Sequence, residues 1–150
     1  MTYPRRAVEL PQSLVSITAL DSVRAACRRF PNKTALCFGD QELSFAELVA
    51  RAEGLRNAAL TTLGLAPGAH VAIVARNCIE FMEVSLGLPD AGIPVATVNP
   101  RLAPGEIRAV VEDAEARVVF TDRPTASAVR AAGFGPDGGI VEFGPDYEAL

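Results

Sequence analysis

Apolar positions along this chain fall into segments of different period, and each change of period marks an element. In residues 18–30, Leu20, Val23, Cys27 and Phe30 recur at steps of three, four and three. That spacing predicts a helix with those four on one face, Arg24, Arg28 and Arg29 on the other, and Pro31 as the stop. Residues 34–38 and 41–43 read as two short strands joined at Gly39-Asp40, a hairpin. Leu43-Ser44-Phe45-Ala46-Glu47-Leu48 is the sharpest local signal. Ser44 can accept from the backbone N–H of Glu47, the Glu47 carboxylate can reach back to the N–H of Ser44, and Leu43 and Leu48 occupy the two positions of a hydrophobic staple. A long helix over residues 45–63 follows, striped by Phe45, Leu48, Ala52, Leu55, Ala59 and Leu63, with Gly64 suited to a left-handed cap.

From residue 71 the period changes. Val71-Ala72-Ile73-Val74-Ala75 is continuously apolar, as in a strand buried on both faces of a parallel sheet. Asn77 and Glu80 offer a cap pair for a helix carrying Phe81, Val84 and Leu88, which Pro89 should end or kink at a cost of about 3 kcal/mol if interior. Residues 93–98 read as a strand, Asn99-Pro100-Arg101 as a turn, and Pro104 as the first residue of a helix that buries Ile107, Val110, Val111 and Ala114. Residues 118–120 form a further strand, 124–132 a short alanine-rich helix, and 140–143 a last strand after a glycine-rich turn. Strand and helix alternate with connections too long for hairpins. The expected fold is therefore α/β: a doubly wound, mostly parallel sheet with helices on both faces, preceded by an amino-terminal helix and a hairpin.

Composition narrows the chemistry. The chain has 150 residues, 49% hydrophobic and 21% charged, with net charge −4. That balance fits a packed core and excludes a basic field for nucleic acid. Thirteen of the fourteen basic residues are arginine, so Lys33 is the single candidate for lysine chemistry. Cys27, Cys37 and Cys78 are odd in number and form no C-x-x-C pair, which reads as buried reduced thiols and a cytoplasmic setting. Residues 57–75 carry no carboxylate, lysine or arginine, but Gly64, Pro67, Gly68 and His70 interrupt the run, giving helix, turn and strand and no membrane span. Arg5-Arg6 ahead of an apolar stretch imitates a leader, yet Glu9, Pro11 and Gln12 break it.

Several motifs carry nothing by themselves. Gly133-Phe134-Gly135-Pro136-Asp137-Gly138 fits G-x-G-x-x-G, but a helix precedes it and a strand follows, the reverse of the dinucleotide arrangement. His70 stands at the mouth of a strand, and Glu112 and Glu115 fall on a helix with Arg108, where a solvated face explains them. No catalytic residue and no metal site emerges.

Three ordered stretches carry a resemblance. Leu43-Ser44-Phe45-Ala46-Glu47-Leu48, the strand and cap of residues 68–77, and Ala91-Gly92-Ile93-Pro94-Val95-Ala96-Thr97-Val98-Asn99-Pro100-Arg101-Leu102 resemble core motifs of AMP-forming acyl-CoA synthetases, the adenylate-forming superfamily. Val118-Val119-Phe120-Thr121-Asp122 falls where that family has its next strand. The resemblance implies a parent enzyme that uses ATP and Mg to convert a carboxylic acid into an acyl-adenylate, then passes the acyl group to coenzyme A. Residues 1–17 would be a leader and 18–150 the amino-terminal part of the large domain, an incomplete piece of a larger domain. Its partners would be the remainder of the synthetase chain and, in the full-length protein, the carboxylic acid and coenzyme A. Alone it would be inactive, bind no cofactor tightly, and tend to self-associate through surface left uncovered. Arg101 is the one site residue the resemblance supplies, as a contact to coenzyme A phosphates. An exposed loop arginine that caps a helix or pairs with Glu106 is the other reading. The alternative for the whole chain is a stand-alone, non-catalytic α/β binding or interaction module of the same fold. Pro89-Asp90 departs from the apolar residues usual before the second motif.

Overall fold

The computed structural model describes residues 18–135 and 139–150. The expected leader, and the Pro136-Asp137-Gly138 part of the glycine-rich turn, lie outside the described residues. The element order is α1 (Ala19–Arg29), β1 (Thr34–Phe38), β2 (Gln41–Ser44), α2 (Phe45–Thr61), β3 (His70–Val74), α3 (Ile79–Asp90), β4 (Val95–Val98), α4 (Pro104–Asp113), β5 (Ala116–Thr121), α5 (Ala126–Ala131), β6 (Ile140–Glu142) and α6 (Pro145–Glu148).

β1 and β2 form an antiparallel hairpin, and the other four strands make a parallel sheet in the order β4-β3-β5-β6. Val74 is the lateral neighbour of Val98 on β4 and of Thr121 on β5, so these three strands end at one level. Successive side chains of a strand point to opposite faces. Val71 and Ile73 accordingly join Val84 and Leu88 of α3 and Leu55 and Ala59 of α2 in one core, while Ala72 and Val74 join Ile107 and Val111 of α4 and Val129 of α5 in a second. Leu20 and Leu86 enclose Leu48 and Ala52, placing α1 as an outer layer on α2 and α3. α2 and α3 meet backbone to backbone: a methyl added at Gly87 would strike the Ala52 carbonyl.

The local signals behave as chemistry requires. The Ser44 N–H donates to Glu47 Oε2 at 2.8 Å and the Glu47 N–H donates to Ser44 Oγ at 3.2 Å, completing the expected capping box. Gly39 (φ 59°) opens the two-residue hairpin turn.

Other expectations are corrected. The Asn77–Glu80 cap pair does not form, because α3 begins one residue later, with Cys78 as an N-cap that makes no side-chain bond. Phe30 and Val110 are exposed, since each helix presents only a narrow stripe to its neighbours. Glu115 lies beyond α4, in the left-handed region at φ 52°. The cysteines are free, but Cys37 is exposed and Cys27 and Cys78 are half-buried, because the hairpin and the ends of α1 and α3 sit at the periphery. Pro89 lies inside α3, in its last turn, and the helix ends one residue later at Asp90.

Candidate functional site

In an open parallel sheet, ligands bind beyond the carboxyl ends of strands at the point where successive connections depart in opposite directions. Here β3 leads through α3 to β4 on one side, while β5 leads through α5 to β6 on the other. The switch point therefore falls between β3 and β5. A crevice of about 420 Å³ lies there, with Arg76, Asn77, Asp122, Arg123, Pro124 and Phe143 in its walls and Phe38 of the hairpin at its rim.

Its floor is a buried polar network. The Thr121 hydroxyl donates to the Val74 carbonyl at 2.9 Å, and the Thr125 hydroxyl lies 2.8 Å from the same oxygen. The Asp122 carboxylate accepts from the backbone N–H of Thr125 at 3.1 Å, from the Thr125 hydroxyl, and from Arg76 Nε at 3.0 Å. Burial by itself would raise the Asp122 carboxyl, but the bonds from Thr125 and Arg76 outweigh it and hold the group below the usual carboxylate range. Asp122 is thus an anchored anion whose role is to fix Arg76, a side chain that remains 64% exposed. Cys78 also lines the crevice. Desolvation pushes its thiol up to about 12.

One strand over, the turn after β4 carries the residue expected at a site. The Leu102 N–H donates to the Asn99 carbonyl at 3.2 Å, and the Arg101 N–H donates to Asn99 Oδ1 at 3.0 Å, so the turn is shaped by Asn99. Arg101 is exposed and makes no ion pair with Glu106, whose carboxylate instead accepts from the Ala103 N–H at 2.9 Å. The other residues singled out from sequence stand elsewhere. His70 lies at the opposite end of β3, its Nδ1 2.7 Å from the Ala114 carbonyl, tying β3 to the end of α4. Lys33 lies between α1 and β1 with its ammonium 5.9 Å from the Phe30 ring centre. Arg108 and Glu112 pair on the solvated face of α4.

Sequence reasoning missed two charge networks on the α2–α3 side. Asp90 accepts from Arg24 through both oxygens (2.9 and 2.8 Å), from Arg56 at 2.9 Å and from the Thr18 hydroxyl at 2.8 Å. The Arg24 pairing is the largest influence and holds the Asp90 carboxyl far below its ordinary range, against the cost of burial. The departure at Pro89-Asp90 thus supplies the pin that joins α1, α2 and α3. Glu83, 1% exposed, accepts from Arg51 and, at 2.7 Å, from the Tyr147 hydroxyl. Burial first, and then the charge of Glu83, raise the Tyr147 phenol. Arg51 also pairs with Glu148, so this network fastens α6 to the helical layer. In these networks Asp90 and Glu83 have both oxygens engaged.

Comparison with known proteins adds a family. A model described as AMP-binding enzyme matches residues 23–142. The 3-methylmercaptopropionyl-CoA ligase of Ruegeria pomeroyi is 36% identical over 84 residues, which cover 56% of this chain and 15% of that protein. A medium/long-chain-fatty-acid–CoA/3-oxocholest-4-en-26-oate–CoA ligase of Mycobacterium marinum is 29% identical over 115 residues, covering 77% of this chain and 21% of the relative. Among solved structures, the anthranilate CoA ligase AuaEII in complex with anthranoyl-AMP superposes with a TM-score of 0.79 at 26% identity, covering 92% of this chain and 26% of that one. The amino-terminal domain of FACL13 from Mycobacterium tuberculosis gives 0.76 at 26% identity, with 89% and 35% covered. The chain therefore spans between 15% and 21% of the length of these curated relatives.

Proposed function

The chain belongs to the AMP-binding enzyme family, and from that premise we propose that it forms the amino-terminal part of the large domain of an AMP-forming acyl-CoA synthetase. In that reaction a carboxylate attacks the α-phosphate of ATP, releasing pyrophosphate, and the acyl group then moves from AMP to the thiol of coenzyme A. The observation that carries this reading is the family match over residues 23–142 on a parallel sheet that presents the Asn99-Pro100-Arg101-Leu102 turn at its carboxyl edge.

The described carboxylates at the sheet's carboxyl edge offer no free set of ligands for Mg. Of the carboxylates at that edge, Asp122 is engaged by Arg76 and Thr125, and Glu142 pairs with Arg130 at 2.6 Å. Among the described residues no cluster of three or more His, Cys, Asp or Glu side chains could hold a metal ion. Lys33 lies in the connection between α1 and β1, outside the parallel sheet. This segment contributes scaffold and one exposed cation, Arg101, to a coenzyme A phosphate, and adenylation rests with residues outside it. Exposed Phe30, Phe38 and Met82 fit self-association when the segment stands alone.

The purified 150-residue chain, given ATP, Mg and a fatty acid, is expected to release no pyrophosphate, and steady release would overturn the reading. Coenzyme A titrated into the chain is expected to bind weakly, and more weakly by about fivefold in Arg101→Ala, the scale of one exposed charge contact. Superimposable curves for the two proteins would remove Arg101 from the site.

A further inference from the structure

We propose that the crevice between the ends of β3 and β5 is itself an oxyanion site, in which Arg76 and Arg123 hold a small multivalent anion such as a phosphate or pyrophosphate group. This site is separate from the Arg101 turn and does not depend on the coenzyme A reading.

The register makes the case. Val74 and Thr121 are lateral neighbours, and each is followed two residues later by an arginine, Arg76 and Arg123, so two guanidiniums leave the sheet from adjacent strands at one level. Adjacent strands lie about 4.8 Å apart, a spacing that lets two long side chains reach one bound anion. Both arginines are exposed and both line the 420 Å³ crevice. Arg76 is already oriented: its Nε and its backbone N–H both donate to Asp122 Oδ2, at 3.0 and 3.3 Å. Those bonds leave the terminal nitrogens of Arg76 for a ligand, and a guanidinium offers parallel donors that match phosphate oxygens. Arg123 makes no ion pair among the described residues. Asn77 adds an exposed amide, and Phe38, Pro124 and Phe143 complete the walls.

Two carboxylates share the crevice, Asp122 and Glu80. Asp122 and Arg76 offset each other's charge, so Arg76 brings oriented N–H donors and Arg123 the unpaired charge. Glu80 opposes an anion, and this makes the proposal unusually testable. Removing Arg123 and removing Glu80 must move the affinity in opposite directions.

The test is calorimetric titration of sodium pyrophosphate into the 150-residue chain, with circular dichroism confirming the fold of each variant. Arg123→Gln is expected to weaken binding by about fivefold, and Glu80→Gln to tighten it by about threefold. Arg117→Gln, at the start of β5 on the opposite edge of the sheet, is expected to leave it within about twofold. Added salt should weaken binding to the unmodified chain, because exposed charges are screened over about 10 Å at 0.1 M. Absence of saturable binding, an Arg123→Gln curve matching the unmodified chain, or a loss in Glu80→Gln would each overturn the proposal. A loss in Arg117→Gln as large as that in Arg123→Gln would do the same, since it would mean unspecific attraction of the anion.

Discussion

The two faces of the parallel sheet are covered in different ways. Toward α4 and α5 the core contact is apolar, with Ala72, Val74 and Val119 against Ile107, Val111 and Val129, and the charge pairs Arg108–Glu112 and Arg130–Glu142 lie toward solvent. Toward α3 and α2 an apolar layer is backed by a second, outer one, and buried or half-buried charges pin that outer layer together. Asp90 joins three helices, and Glu83 joins α2, α3 and α6. An apolar contact tolerates small shifts, because burial is non-directional. A buried carboxylate does not, since each missing donor leaves desolvated charge behind. The α2–α3 face is thus the geometrically demanding one, and α6, at the end of the described chain, takes its position from it.

That contrast can be broken experimentally. Glu83→Ala should be the most damaging change, about 3 kcal/mol by urea denaturation, because it strips the buried carboxylate from Arg51 and Tyr147. A cost below that of a single apolar truncation would show that the network contributes little. Acid should act through Asp90. Its folded pKa is depressed, so its contribution is present above the unfolded value of about 3.9 and fades as pH falls through that value toward the folded one. Stability measured against pH should therefore fall less steeply below pH ~4 in Asp90→Asn than in the unmodified chain, though the variant starts lower. Identical slopes would place the acid sensitivity elsewhere. On the other face, Ile107→Val should cost about 1 kcal/mol, and by the same amount at pH ~7 as at pH ~4, because no titrating group is involved. A pH-dependent cost would blur the distinction between the faces.

The same contrast explains what could be read in advance. Ser44 and Glu47 are three positions apart, so their capping box is a local event and was visible in the residues. The apolar run of β3 and the stripe of α2 were visible for the same reason. Asp90 stands 66 positions from Arg24 and 34 from Arg56, and Glu83 stands 64 from Tyr147. No local pattern announces such partners. Asp90 stood out only as a departure from a family motif, without its reason. At the carboxyl edge, Arg101 was singled out by resemblance alone. Arg76 and Arg123 were not, because each is one charged residue after a strand until the register sets the two side by side.

What the sequence by itself determined is the set of elements, their alternation and the family to which they belong. Apolar periodicity, caps and turn residues act over a few positions and need no knowledge of the fold. What only the tertiary structure decided is which charges are consumed and which are left exposed. Thirteen arginines look alike in the chain. Packing turned Arg24 and Arg56 into clamps on one carboxylate, fastened Arg51 to Glu83, and left Arg76, Arg101 and Arg123 exposed along one edge of the sheet. The physical reason is that an ion pair depends on positions brought together by distant segments, whereas the tendency to form a helix or a strand is written into neighbours.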